Sequence, residues 1–290
     1  MEAFCNERTA IMGKTWFITG ASRGLGAEIA AAALAAGHNV VATGRQRAAV
    51  ADRLGPDHVR LLALDLDVAD AAQAHAAAQD ALARFGAIDV LVNNAGYGHL
   101  GFFEETTDAD VAEQYATNVF GLFNVTRAVL PAMRAARRGQ VFNLSSSAGF
   151  RGVESGALYC SSKFAVEGFS ECLALELAPL GVRVTIVEPG PFRTDFLTPE
   201  SIRFVARELA DYDDRRGAVR DSFVQRNGNQ AGDPARLAQA LLALADADSP
   251  PLRFTAGAPA TQALEAKLAS MRAELDRWRT LGLGTDFPAA

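Results

Sequence analysis

Thr19-Gly20-Ala21-Ser22-Arg23-Gly24-Leu25-Gly26 follows the apolar run Trp16-Phe17-Ile18 and opens a stretch in which Leu25, Ile29, Ala32, Ala33 and Ala36 recur at helical spacing. The segment reads as a turn between a buried strand and a helix, and Gly37 ends that helix. Gly20, Gly24 and Gly26 are spaced G-x-x-x-G-x-G. Glycines at such a junction permit a tight turn and a close approach of backbone to ligand. The unpaired N–H groups of the helix start attract a pyrophosphate. A tight loop that holds no nucleotide would share this composition, but the strand–turn–helix setting favours a dinucleotide site. Ser22, Arg23 and Leu25 join the three glycines as candidate contacts.

Outward from this loop the alternation continues. Asn39 to Thr43, Val59 to Leu64, Ile88 to Val92, Val141 to Leu144 and Val182 to Val187 are short, nearly all-apolar runs. Strands buried on both faces read this way, and they belong to parallel sheets. Helical stretches separate them: Asp70 to Phe85, stopped by Gly86; Asp108 to Met133, which Pro131 is expected to kink or end; and Tyr159 to Ala178, closed by Pro179-Leu180-Gly181. Repeated strand–helix–strand units with right-handed crossovers follow. Beyond Pro189 the pattern changes. Thr198 to Leu209 is expected to be helical, while Asp211 to Gly232 is polar and reads as a mobile segment over a site or as a solvated loop. Pro234 to Leu244 forms a helix with Asp233 as N-cap. Arg253-Phe254-Thr255 supplies a short last strand. Thr261 to Trp278 is amphipathic, with Leu264, Leu268, Met271, Leu275 and Trp278 on one stripe that could extend a subunit interface, cover the site or pack on its own domain.

Composition bounds the function. The 290 residues are 49% hydrophobic and 21% charged, so the chain can bury a core and is neither disordered nor collagen-like. No apolar run reaches the roughly eighteen residues of a membrane span. The net charge of -6 argues against non-specific nucleic-acid binding. Cys5, Cys160 and Cys172 are too few and scattered for a disulfide framework. Residues 1–12 hold Glu2, Cys5 and Glu7 with no apolar core after a basic start, and read as a short leader rather than a signal peptide. His38, His58, His75 and His99 form no ligand-like cluster, so no metal site is expected. The expectation is an acidic cytoplasmic protein with no nucleic-acid or membrane partner.

The choice between NAD and NADP turns on the end of the second strand. An acid there would bind the adenosine ribose 2′-OH. The chain instead reads Ala42-Thr43-Gly44-Arg45-Gln46-Arg47, with no acid. Arg45, with Arg23 from the glycine loop, could pair with a 2′-phosphate, so NADP(H) is preferred and NAD(H) remains the alternative. Arg47 reads as a surface residue. The fourth strand ends in Asn93-Asn94-Ala95-Gly96, small and amide residues suited to lining a cofactor cleft.

Tyr159 and Lys163 are four apart, on one face of a helix. A nearby ammonium favours the phenolate, which makes Tyr159 a plausible proton donor or acceptor at a carbonyl or alcohol oxygen. With these residues the sequence resembles the classical short-chain dehydrogenase/reductase family, over about Lys14 to Phe254. Gly20, Gly24 and Gly26 match its cofactor signature, and Asn94, Ala95 and Gly96 lie in its second signature. Tyr159 and Lys163 match its active-site pair, Ser146 its serine, and Asn118 the asparagine of a mid-sheet helix. Pro189, Gly190 and Thr194 match the stretch used around the nicotinamide. Asp67 and Val68 match the adenine contact, although Asp65 leaves that register open.

The resemblance implies a Rossmann-like doubly wound parallel sheet of seven strands in order 3-2-1-4-5-6-7. The organisation expected is a leader at 1–12, a catalytic domain at 13–256 with a substrate-binding loop or lid at 188–232, and a C-terminal helix and tail at 257–290. It also implies roles. Tyr159 would be the acid/base, and Lys163 would bind the nicotinamide ribose and lower the Tyr159 pKa. Ser146 would orient the substrate oxygen, and Asn118 would hold a water at Lys163. Ser145 and Ser147 are expected to bond backbone, and Cys160 to be a packing residue. Phe102, Phe103, Phe150, Phe192, Phe196 and Phe204 in the loops past the strand ends suggest an apolar ketone, aldehyde or alcohol as substrate. The alternatives are an NAD-dependent alcohol, steroid- or retinol-type dehydrogenase, and a non-catalytic NADP-binding protein. A homodimer or homotetramer is expected from the family.

Overall fold

The computed structural model describes residues 13–198 and 201–287. The expected leader at 1–12 and the last three residues of the expected tail lie outside the described residues. The large sheet is formed by β1 (Thr15–Ile18), β2 (Asn39–Gly44), β3 (Leu61–Asp65), β4 (Val90–Asn93), β6 (Gly139–Leu144), β7 (Val182–Pro189) and β9 (Arg253–Ala256). All of its pairings are parallel, in the order β3-β2-β1-β4-β6-β7-β9. Counting only these strands, that is the 3-2-1-4-5-6-7 order expected. The order reverses between β1 and β4, so the crevice past their carboxyl ends is where such a sheet binds ligands.

Alternation along β1 divides the core. Trp16 and Ile18 face one side, with α1 (Gly24–Ala35) and α8 (Pro234–Asp246), where Ile29, Ala30, Ala33, Leu237 and Leu241 are buried. Phe17 faces the other side, with α3 (Ala71–Phe85), α5 (Leu122–Ala136) and α6 (Ala157–Leu177), through Ala74, Val125, Val129, Met133, Leu173 and Leu177. The helix ends carry the signals read from sequence. The Asp70 side chain accepts from Ala72 N and Gln73 N, Gly86 takes a left-handed φ of 76°, and Asp233 caps α8.

Several expectations are corrected. The helix expected over Asp108 to Met133 is α4 (Asp108–Tyr115), then a π-helical segment (Ala116–Gly121), then α5. Pro131 lies inside α5 and does not end it, because buried Val129 and Met133 on either side hold the last turns to the sheet. The third strand begins at Leu61, and Val59 is left exposed. The helix expected over Thr198 to Leu209 is absent among the described residues of that stretch. Ile202–Phe204 forms β8, which pairs with β5 (Gly98–Leu100), and the buried Ile202 gains a sheet partner that a free helix would lack. Within the polar 211–232 stretch, Asp213–Arg226 forms α7, on which Arg216 is buried. The helix α2 (Arg47–Leu54) was not anticipated. The last helix, α9 (Ala258–Leu283), buries Ala260 and Ala263 and half-buries Leu264, while Leu268, Met271, Leu275 and Trp278 are exposed, so only the start of that stripe packs on its own domain. No helix among the described residues is long and apolar enough to cross a membrane.

Candidate active site

The glycine loop is fixed by backbone geometry. Gly20 and Gly24 have φ of 65° and 57°, which L side chains rarely adopt. Thr19 N donates to Val92 O at 3.0 Å and Ala21 N to Thr43 O at 2.8 Å, anchoring the loop to both neighbouring strands. Asn94 Nδ2 donates to Thr19 O at 2.9 Å and Gly20 O at 3.0 Å. The Asn94 amide nitrogen thus shapes the loop. A Cβ on Gly26 would collide with that same amide and with Gly20 O. The α1 N-terminus has no side-chain cap and no acid in its first turn, so its N–H groups are available to an anion.

Ser22, Arg23, Gly24 and Thr194 line one pocket of about 430 Å³, together with Arg53, Arg193 and Glu28. Arg53 and Arg193 were not singled out in the sequence. Leu25, half-buried, packs against the core. Arg45 is exposed at the end of β2 and does not line that pocket. Asp65 accepts from Arg47 N at 2.6 Å and so caps α2, while Asp67 accepts from Ala69 N at 3.0 Å within its own loop. Asp65 thus serves the start of α2, while Asp67 and Val68 lie in the loop after β3. Val68 is buried against Gly121, and Asn124 Nδ2 donates to its carbonyl at 3.1 Å. Gly190 N donates to Ala256 O at 3.0 Å, which joins the end of β7 at Pro189 to β9.

The other predicted residues converge past β4 and β6. Tyr159 and Lys163 lie on α6, with Lys163 Nζ 5.9 Å from the Tyr159 ring centroid and donating to Leu144 O at 2.6 Å. Ser146 caps the turn Ser147–Gly149, its Oγ accepting from Ala148 N at 3.1 Å, and its side chain lies beside the Tyr159 phenol. Asn118 lies in the π-helical segment, a distortion frequent at functional sites. Its Nδ2 donates to Tyr97 O and to Ser162 Oγ, each at 3.0 Å, and its Oδ1 accepts from Tyr97 N at 3.1 Å. A Cβ on Gly96 would sit 3.1 Å from Asn118 Oδ1 and 3.7 Å from Lys163 Nζ, so Gly96 lets these two groups approach.

The electrostatics depart from one expectation. Burial pushes the Tyr159 phenol up to about 12, and Ser146 beside it only partly opposes this. Desolvation, rather than the neighbouring charge, dominates the Tyr159 shift. The Lys163 ammonium is itself buried and drawn down to about 8, and Glu167 alone opposes that shift.

The short chain dehydrogenase family model matches residues 14–202. The chain belongs to the short chain dehydrogenase family. A short-chain dehydrogenase from Streptomyces avermitilis is 41% identical, with a TM-score of 0.87 and coverage of 94% of this chain and 100% of that one. One from Burkholderia phymatum, solved in complex with NAD, is 25% identical, with a TM-score of 0.77 over 96% and 98% of the two chains. ElxO, solved with NADP bound, is 26% identical, with a TM-score of 0.69 over 84% and 97%. A 3-ketodihydrosphingosine reductase from Bacteroides thetaiotaomicron is 38% identical, over 86% of this chain and 90% of its own. This dehydrogenase is accordingly an oxidoreductase that interconverts C=O and CH–OH groups by hydride transfer.

Among the loop phenylalanines, Phe196 is the one whose ring packs over Tyr159, at 5.7 Å between centroids. Phe102 stacks on Tyr212 at 4.4 Å, Phe192 packs against the core, and Phe103 is exposed. Three features of the dehydrogenase escaped the sequence reading. Asn93 and Asn143 form a buried chain, with Asn93 Nδ2 donating to Thr126 Oγ1 and Asn143 Oδ1 at 2.9 Å each and Asn143 Nδ2 donating to Ser170 Oγ at 2.8 Å. Glu105, fully buried, pairs with Arg216 of α7. Ser145 does not bond backbone through its hydroxyl, which lies against buried Glu167. A glutamate four residues after Lys163 on an apolar helix was the available signal for that last feature.

Proposed function

We propose that this dehydrogenase is an NADP(H)-dependent oxidoreductase that interconverts an apolar ketone or aldehyde and its alcohol, with Tyr159 as the proton donor and acceptor. The observation that carries this is the Tyr159 ring packed between Phe196 and the Lys163 ammonium, at 5.7 Å and 5.9 Å from its centroid, with Ser146 beside its phenol. The residues fit a dinucleotide: two left-handed glycines, an uncapped helix N-terminus, and a pocket lined by Arg23, Arg53 and Arg193. A bound nicotinamide dinucleotide supplies or accepts the hydride. Ser22, Gly24 and Thr194 would border its phosphates, and Gly96, Pro189 and Gly190 its nicotinamide end. With its phenol raised to about 12, Tyr159 is protonated at neutral pH and ready to protonate the oxygen of a ketone being reduced. Ser146 orients that oxygen, Lys163 holds positive charge beside the phenol, and Asn118 keeps Tyr97 and α6 in register.

The preference for NADP(H) rests on the missing acid after β2 and on Arg23 and Arg45. Relatives bound to NAD and to NADP both exist, so a direct comparison decides it. A relative named for a 3-keto substrate makes an apolar ketone the first compound to try. The exposed Phe120 of the π-helical segment and Phe164 and Leu175 of α6 support a homodimer or homotetramer, and the free Cys160 and Cys172 suit a cytoplasmic enzyme. Fluorescence titration with NADPH and NADH, read alongside turnover on a panel of ketones, aldehydes and alcohols, tests the reading. Tight NADPH binding with turnover of an apolar carbonyl supports it. A strong NADH preference overturns the arginine argument, and binding of neither nucleotide overturns the whole.

A further inference from the structure

Lys163 and Glu167 stand one turn apart on the same face of α6, and each is only 6% exposed. Glu167 lies behind the cleft, under the turn Ser147–Gly149 that Ser146 caps. A Cβ on Gly149 would come within 2.8 Å of Glu167 Oε1 and would collide with Ser145 Oγ. That turn therefore rests on the carboxylate.

The groups facing Glu167 come from every element around it. Glu188 of β7 is fully buried and accepts from Thr255 Oγ1 at 2.5 Å. Arg253 of β9 reaches Glu167 at 3.2 Å, Glu171 of α6 at 2.6 Å and Glu188 at 3.5 Å. Ser145 comes from the loop after β6. Three carboxylates thus share one arginine, and Glu167 sits between that cluster and the lysine. Burial, with Glu188 and Glu171 acting in the same direction, pushes Glu167 up to about 7, against Ser145 and Arg253. On its other side Lys163 faces Tyr159, Asn118 and the Leu144 carbonyl, none of which carries a negative charge at neutral pH.

An ammonium buried with one carbonyl partner is costly to keep charged. We propose that Glu167 is a positioning residue that keeps Lys163 charged and seats the Ser145–Ser146 loop, so that the Glu167–Glu188–Arg253 cluster sets the proton state of the site from behind. Its consequence for turnover rests on the part given to Lys163 in the proposed function, but its test does not.

The chain has three lysines, Lys14, Lys163 and Lys267, so ¹³C-lysine NMR of the whole protein resolves Lys163, with Lys163→Arg identifying its resonance. Removing a negative neighbour favours the neutral amine, so Glu167→Gln is expected to lower the Lys163 midpoint by about half a pH unit or more. Glu167→Asp, which keeps the charge, returns part of the shift. Arg253→Met moves the midpoint the same way by less, because Glu167 loses the cation that favours its ionised form. That variant, at the sheet edge, also decides the matter if Glu167→Gln does not fold. A Lys163 midpoint unchanged in Arg253→Met and in any folded Glu167→Gln overturns the proposal. The alkaline limb of the kcat/KM profile should follow the lysine. If the lysine midpoint moves and that limb does not, the coupling stands and the role given to Lys163 in turnover fails.

Discussion

One side of the cleft, from Thr19 to Gly26 and Asn93 to Gly96, is held largely by backbone groups: Thr19 N on Val92 O, Ala21 N on Thr43 O, and an asparagine amide on two loop carbonyls. The other side, from Tyr97 to Glu105 and Phe192 to Arg226, adds to the β5–β8 pairing a set of charged and aromatic side-chain pairs. Buried Glu105 bonds Arg216 and accepts from Leu209 N at 3.0 Å. Phe102 stacks on Tyr212, Arg215 lies 4.8 Å over Phe102, and Arg203 lies 4.9 Å over Tyr97. The difference teaches how one scaffold can keep its cofactor and change its substrate. Backbone geometry depends on a few glycines and tolerates variation elsewhere, whereas a cap built from charged and aromatic pairs is re-shaped whenever a partner changes.

The largest expected effect falls where the two sides meet. Tyr159→Phe should lower turnover by about 10²- to 10⁴-fold with dinucleotide affinity nearly unchanged, measured by steady-state kinetics and calorimetric titration. Full activity in this variant would remove Tyr159 from its role. Gly26→Val breaks the backbone-held side, because its side chain has no room between Asn94 and Gly20 O. Dinucleotide affinity should fall by about a hundredfold or more. Glu105→Gln breaks the other side by leaving the Arg216 charge without its buried partner. KM should rise by about tenfold while the dinucleotide Kd stays put, and equal changes in both would erase the proposed division. Arg45→Asp sharpens the cofactor side, weakening NADPH by roughly tenfold and NADH little. The smallest effect belongs to Leu268→Glu, at 59% exposure on α9, where monomer stability should stay within about 0.5 kcal/mol.

A pH series separates Glu167 from both sides. Its carboxyl is raised by burial, so it contributes no penalty below about pH 4.5, and stability is lost as pH rises through about 7. Glu167→Gln should therefore gain in Tm relative to the parent at pH 8 and not at pH 4.5. A gain equal at both would mean that the residue does not titrate as described.

Local signals carried far in some places and not in others. The glycine turn, the Asp70 and Asp233 caps and the Gly86 stop were legible because each depends on residues within a few positions. Thr198 to Leu209 was misread because β8 exists through its pairing with β5, about a hundred residues earlier in the chain. The direction of the Tyr159 shift was missed because Y-x-x-x-K spacing reports proximity to a charge and says nothing of desolvation.

The sequence by itself determined the parallel α/β order and the family, and it singled out Ser146, Tyr159 and Lys163 for the roles proposed, because apolar periodicity and short motifs are written in neighbouring residues. Only the tertiary structure decided that Glu105 meets Arg216, that Phe196 roofs Tyr159, and that Glu167, Glu188 and Arg253 gather behind Lys163. Apart from the Lys163–Glu167 step along α6, those contacts join segments far apart in the chain. The packing of the folded protein sets both which charges are brought together and how much water they keep.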